Sequence, residues 1–99
     1  MGKLKVVVVG EDCLSSQYEI SIGAQSLAFV GKKGVFSLPY SEINDFYVTQ
    51  CGSGKTYFTL FCSTRMFEGQ ILETDKIRQF AANLRSVIGG VISVEVRKP

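Results

Sequence analysis

Apolar and polar residues alternate along most of the first three quarters of the chain. Tyr18, Ile20 and Ile22 alternate with Glu19 and Ser21, which is the period-two pattern of a strand with one buried face. Segments rich in aromatic and β-branched residues predict further strands at residues 26–30, 35–39, 43–49, 56–62 and 66–72. Such short intervals favour antiparallel pairing of consecutive strands.

Turn-forming residues separate these strands. The stretch Gly31-Lys32-Lys33-Gly34 predicts a tight hairpin turn in which Gly34 adopts a positive φ. The stretch CGSGK at residues 51–55 also has a typical turn composition.

Apolar residues occupy both faces of the strand at residues 56–62. A barrel or two packed sheets is therefore favoured over one solvated sheet, and we expect Phe58, Phe61 and Phe67 to lie in its core. Exposed rings would instead suggest binding of single-stranded nucleic acid, but that function also needs a basic groove. The formal net charge is +2 with the basic residues scattered, so we expect no nucleic-acid partner.

The pattern changes to a helical period after Thr74. Apolar residues then form one stripe, made of Ile77, Phe80, Ala81, Leu84, Val87 and Ile88. This stripe predicts a helix over about residues 75–88, capped at its start by Thr74 or Asp75 and ended by Gly89-Gly90. We expect the helix to cover one open end of the barrel.

A last alternating segment, VISVEV at residues 91–96, predicts an extra strand after the helix. Such a strand needs a pairing partner. The candidates are the strand KLKVVVV at residues 3–9 of the same chain and an edge strand in another copy. We therefore predict self-association, with a homodimer formed through residues 91–96.

Composition indicates one folded domain over residues 1–99. Hydrophobic residues make up 45% of the chain and charged residues 20%, far from the composition of disordered segments. The longest aliphatic run, at residues 6–9, is too short for a membrane span or a signal-peptide core. Cys13, Cys51 and Cys62 lack the spacing of a metal or disulfide motif, so free thiols and a cytoplasmic location are expected.

The Gly-Lys-Thr of CGSGKTYF, at residues 54–56, matches the end of a nucleotide-binding P-loop. The full motif needs a glycine where Thr49 stands and a helix after the final threonine. The residues after Thr56 alternate as a strand instead. The pattern therefore favours a hairpin turn, and no nucleotide is expected.

Residues suited to catalysis are sparse. The chain has no histidine, which is the commonest general base near neutral pH. The spacing of the carboxylates does not require them to meet; they include Glu42, Asp45, Glu68, Glu73 and Asp75. The sequence thus predicts a protein that is not an enzyme, with no catalytic residue, cofactor or metal.

Lysines in the predicted turns form the one candidate ligand site. Lys32 and Lys33 lie at a hairpin tip, where paired ammonium groups can contact the phosphates of a lipid headgroup. Lys55 would join them if both turns lie at the same end of the barrel. Solvation of turn residues explains the same pattern, so the anion-site interpretation stays an alternative.

The order of elements, several antiparallel strands followed by one amphipathic helix, resembles the pleckstrin-homology-like superfold, including its GRAM-type and small bacterial members. The match is closest over residues 26–48, where Leu38, Pro39 and Ile43 resemble the step between two strands of that family. The resemblance implies a mainly β, α+β domain: an antiparallel barrel of about seven strands capped by the helix. The strand at residues 91–96 is an addition to that pattern.

The resemblance implies a non-catalytic binding or assembly module, because members of this superfold hold phosphoinositides, peptides or proteins. We therefore expect a protein partner or self-association. The basic Lys-x(n)-Arg-x-Arg pattern of the phosphoinositide-binding members is missing from this chain. A peripheral module that binds anionic lipid through Lys32, Lys33 and Lys55 is the alternative function.

Overall fold

The computed structural model describes residues 2–9, 15–32, 34–51, 54–88 and 93–97, the last segment as backbone. Its strands are β1 (Lys3–Val9), β2 (Ser15–Ile22), β3 (Ser26–Gly31), β4 (Gly34–Pro39), β5 (Ile43–Gln50), β6 (Thr56–Cys62), β7 (Met66–Ile71) and β8 (Ser93–Arg97). The one α-helix among these described residues, α1 (Ile77–Ile88), lies between β7 and β8. Short 3₁₀ turns occur at Tyr40–Glu42 and Thr74–Lys76.

The strands form one open sheet in the order β4-β3-β2-β1-β7-β6-β5-β8. Every neighbouring pair is antiparallel except β5 and β8, which are parallel. The predicted mainly β fold with one C-terminal helix and a strand after it is confirmed. The predicted hairpin is also confirmed, because Gly31 of β3 pairs with Gly34 of β4 across the turn.

The pairing of β8 within the chain differs from the predicted pairing with β1. Residues 93–97 pair in parallel with β5 of the same chain, with Phe46 opposite Val94, and not with β1. Residues 91 and 92, like Gly89-Gly90, lie outside the described residues. Because β8 already pairs with a strand of its own chain, it no longer provides an argument for self-association. Self-association itself stays a prediction.

The sheet curls until distant strands meet. Phe29 of β3 and Phe36 of β4 stack on Phe67 of β7, at centroid distances of 5.9 and 5.7 Å, although β2 and β1 lie between β3 and β7 in the sheet. Alternate residues of each strand point into the resulting concave face and form the core. Its largest fully buried side chains include Leu4, Ile20, Leu27, Phe29, Leu38, Phe46, Phe58 and Leu60.

Helix α1 covers this core through the predicted stripe. Ile77, Phe80, Ala81, Leu84 and Ile88 are buried, and the Phe80 ring lies 6.2 Å from that of Phe46 on β5. Burial of such side chains stabilises a fold by about 1.5 to 3 kcal/mol each. The stripe therefore explains why a helix forms here and which face it turns inward.

The start of the helix differs from the prediction. Thr74 and Asp75 lie inside a 3₁₀ turn, and Glu73 precedes that turn without a side-chain capping hydrogen bond. The Glu73 carboxylate instead accepts a hydrogen bond from the backbone N–H of Lys5 (2.9 Å) and forms an ion pair with Lys76 Nζ (2.7 Å). The carboxylate thus joins the helix start to β1.

Tyr40 connects the turn before β5 to the turn between β2 and β3. Its hydroxyl donates to the carbonyl of Gly23 (2.7 Å), and its backbone N–H donates to the carbonyl of Gln25 (3.1 Å). Partial burial raises the pKa of the Tyr40 hydroxyl, which opposes ionisation there. Both turns are therefore held at one end of the curled sheet.

Gly69 allows β1 and β7 to approach each other. A Cβ at this position would overlap the carbonyl oxygen of Val7 and lie 2.8 Å from its carbon and 3.0 Å from the Cα of Val8. These contacts are with backbone, which cannot rotate away as a side chain can. Any residue larger than glycine must push the two strands apart.

We predict that Gly69→Ala lowers the free energy of unfolding by about 3 kcal/mol, because it disrupts the β1–β7 pairing and the core beneath it. Urea unfolding followed by circular dichroism measures the change. Ser37→Ala, an exposed change on the edge strand β4, is the control and should shift stability by less than about 0.5 kcal/mol. Equal stability of Gly69→Ala and the wild type would contradict the argument.

We also predict that Glu73 makes the fold sensitive to acid. The pKa of its carboxyl is lowered, first by the hydrogen bond from Lys76 and then by the one from the Lys5 backbone. A carboxyl with a lowered folded-state pKa stabilises the fold above its ordinary pKa, here 4.5, and this stabilisation is lost as the pH falls through the folded-state value.

Urea unfolding between pH 2 and pH 7 tests this. Glu73→Gln should be less stable than the wild type at neutral pH, and the difference should shrink as the pH falls. Glu68→Gln, an exposed carboxylate on β7, is the matched control. If the wild type and Glu73→Gln show the same pH dependence, the ion pair plays no part in acid sensitivity.

Candidate functional site

The segment that resembled a P-loop forms the turn between β5 and β6. Gln50 pairs with Thr56 at the base of the hairpin, and the backbone N–H of Cys51 donates to the carbonyl of Lys55 (2.8 Å). Gly54 has a φ of +84°, which favours glycine. Thr56 is buried and begins β6. The predicted hairpin turn is confirmed, and a strand stands where phosphate binding would need a helix.

The structure does not bring the turn lysines together. Strands β3 and β6 both run in the direction of β1. Lys32 follows the end of β3, whereas Lys55 precedes the start of β6, and β2, β1 and β7 lie between them. Both side chains are exposed, and Lys33 lies outside the described residues. Lys32 and Lys55 therefore occupy separate surfaces.

Lys32 instead shares a recess with Lys5 on the convex face of β1, β2 and β3. This lysine recess has a volume of about 410 Å³ and is lined by Lys5, Gln17, Tyr18, Glu19, Val30, Gly31 and Lys32. The Tyr18 ring covers the backbone of Gly31, where a Cβ would lie 2.7 Å from the ring. Because Glu19 places a carboxylate beside the two ammonium groups, the recess has mixed charge.

A second recess lies on the convex face of β5 and β6. This aromatic recess has a volume of about 550 Å³ and is lined by Asp45, Tyr47, Thr49, Thr59 and Phe61. The rings of Tyr47 and Phe61 meet edge to face, with centroids 5.8 Å apart and an interplanar angle of 76°. Asp45 lies directly opposite Phe61 in the strand register. The recess therefore combines two rings, two threonines and one carboxylate.

Large apolar side chains continue this surface onto β7. Phe61 is 38% exposed, Tyr57 is 40% exposed and Met66, which pairs with Phe61, is 52% exposed. The prediction that Phe61 lies in the core is wrong, because it stands three residues after the buried Phe58 and therefore faces the opposite side of the strand. This odd spacing is the signal in the sequence that could have identified it.

Phe67 differs from Phe61 because its own chain covers it. It packs against Phe36 and is partly buried, and the guanidinium of Arg65 lies 5.1 Å from the centre of its ring. Stacking of a guanidinium on an aromatic face is a favourable cation–π contact. The prediction that Phe67 contributes to the core is therefore confirmed in part.

The described cysteines and carboxylates form no metal site. Cys51 and Cys62 are free thiols, and burial is the main cause of the raised pKa of Cys62; Cys13 lies outside the described residues. Within the part of the chain that the structure describes, no three residues of the ligand types His, Cys, Asp and Glu come close enough to hold a metal ion. No described helix has the length and apolar character to span a membrane.

Comparison with known proteins shows that the fold of this chain is similar to that of a solved structure. No protein-family model matches the chain, and no curated protein matches it. The chain is similar to the crystal structure of the C-terminal domain of an unknown protein from Leishmania infantum, with 17% sequence identity and a TM-score of 0.61. The match covers 89% of this chain and 82% of that one. At this identity the similarity shows the fold alone.

Proposed function

We propose that this chain is a non-catalytic, cytoplasmic binding domain of the pleckstrin-homology-like type, and that it holds a segment of another protein on the convex face of β5, β6 and β7. One observation carries the proposal: the side chains of Tyr57, Phe61 and Met66 lie exposed beside the aromatic recess. Aromatic residues and methionine are enriched at the centres of protein interfaces.

The arrangement of the strands supports a preformed binding surface. Thr59 and Phe61 line the recess, while Phe58 and Leu60 on the other face of β6 are buried in the core. Packing of the buried face fixes the backbone and hence the direction of the outward side chains. A partner that binds here therefore meets side chains whose positions the core already fixes, which lowers the entropy cost of binding.

We predict that the wild-type domain enriches specific peptides from a random peptide display library and that Phe61→Ser reduces their binding at least about tenfold, as loss of a central aromatic contact does. Fluorescence anisotropy of the enriched peptides measures the affinity. Val35→Ser is the matched control, since Val35 is a 65% exposed apolar residue on the distant strand β4. Peptides that bind wild type and Phe61→Ser equally would remove this surface as the site.

The lysine recess supports a second candidate function, binding of an anionic lipid headgroup. Lys5 and Lys32 line one recess with Gln17 as a further hydrogen-bonding group. Electrostatic attraction to an acidic membrane is worth about 1 kcal/mol per basic residue near the surface. Lys33 follows Lys32 in the sequence and would add a third charge, whereas Lys55 belongs to another surface.

For this second candidate we predict that the protein sediments with vesicles of phosphatidylcholine and phosphatidylserine but not with phosphatidylcholine alone. Lys32→Ala combined with Lys33→Ala should abolish sedimentation, and raising the salt concentration should weaken it, because the attraction is screened. Lys55→Ala, which removes the same charge from another surface, is the control. Failure of the wild type to sediment with acidic vesicles would rule this candidate out.

A further inference from the structure

We propose that the aromatic recess accepts the basic side chain of an arginine or lysine from the bound protein segment. The inference rests on the proposed function and adds the chemistry of the ligand. It is carried by the geometry of three side chains: the rings of Tyr47 and Phe61, and the carboxylate of Asp45.

The two rings form adjacent walls of the recess. The rings touch edge to face with their planes at 76°, so a group that sits in the corner beside this contact meets both rings. The negative face of an aromatic ring attracts a cation within about 6 Å of its centre. Two rings at this angle therefore favour a cationic group over a neutral one of the same size.

Carboxylates flank the rings on both neighbouring strands. Asp45 of β5 is opposite Phe61, and Glu68 of β7 is opposite Thr59. Asp45 lines the recess itself, and Glu68 is exposed beside it. A carboxylate near an aromatic site adds a charge-assisted hydrogen bond to an ammonium or guanidinium group. The charge of this surface is thus complementary to a basic ligand.

The surroundings of the recess favour a side chain on a polypeptide over a small free cation. The long aliphatic stem of an arginine or lysine covers apolar surface while its head makes polar contacts. Met66 beside Phe61, and Tyr57 further along β6, provide exposed apolar surface for the stem and for neighbouring residues of the segment. A free ammonium ion would leave that surface uncovered.

The described residues include a contact of the proposed kind. The guanidinium of Arg65 lies 5.1 Å from the centre of the Phe67 ring. Phe67 directly follows Met66, the residue that pairs with Phe61 in the β6–β7 hairpin. Phe67 faces inward and receives this cation from its own chain, whereas Phe61 faces outward. The proposed arginine or lysine of the partner would make the equivalent contact with Phe61.

The test uses the intact chain and two peptides, triarginine and tricitrulline, which share shape but differ in charge. Titrations followed by amide chemical shifts in NMR spectra measure the dissociation constant and the residues affected. We expect triarginine to bind five- to tenfold more tightly than tricitrulline and to shift the amides of Tyr47 and Phe61. Phe61→Leu and Asp45→Asn should each remove most of that preference, while Val35→Ser, on the distant strand β4, should change it less than about twofold.

Equal affinity for the two peptides, or an unchanged preference in Phe61→Leu, would overturn the inference. The proposed function would still stand in that case if library peptides bind in a Phe61-dependent way, so the two failures are distinguishable. Tetramethylammonium is the third probe. If it shifts the same amides with an affinity equal to that of triarginine, the assignment to a side chain of a protein segment is wrong.

Discussion

At Gly69 the backbone of β7 comes so close to β1 that an added methyl group would overlap the carbonyl of Val7. This contact joins two antiparallel units, β1 to β4 and β5 to β7, into one sheet. Leu4, Val6 and Val8 of β1 are buried because the curled sheet on both sides of this junction encloses them. The stacking of Phe36 on Phe67 and the seating of α1 both require the two units to be held at this distance.

The same junction determines which residues remain available for binding. Once the concave face is filled by the core and by α1, ligands meet the convex face, the turns and the free edges. Strand period then assigns each residue to one face: Phe58 and Leu60 point inward, whereas Thr59 and Phe61 point outward. Glu73 strengthens the arrangement from the segment between β7 and α1, since its carboxylate links Lys5 of β1 to Lys76 before the helix.

Local patterns predicted the elements well, and non-local contacts explain the differences. The apolar stripe from Ile77 to Ile88 depends on helical spacing alone and identified the buried face of α1. The helix start differed because the Glu73 carboxylate bonds to Lys5, 68 positions away in the chain. The pairing of β8 with β5 is equally non-local: alternation predicts a strand, but it does not specify the partner or the direction of pairing.

The candidate site was hidden in the sequence for a different reason. The charge of the turn lysines made them the predicted anion site, but the structure separates Lys32 from Lys55. An aromatic residue in a strand is assigned to the core by its hydrophobicity, and counting positions from Phe58 is needed to see that Phe61 lies on the other face. Period along β6 would therefore have identified the outward ring of Phe61, which residue type alone assigned to the core.

The exposed apolar side chains of Tyr57, Phe61 and Met66 favour aggregation, and the fold does not require them. Thr59 occupies the convex face of the same strand and satisfies its β propensity with a polar side chain. A threonine in place of Phe61 would keep the β propensity of β6 and would remove an apolar surface that favours aggregation, at the loss of the edge-to-face contact with Tyr47. The core does not need an outward ring at Phe61, so the exposed part of this ring beside Tyr47 and Asp45 is the surface to which the proposed partner would bind.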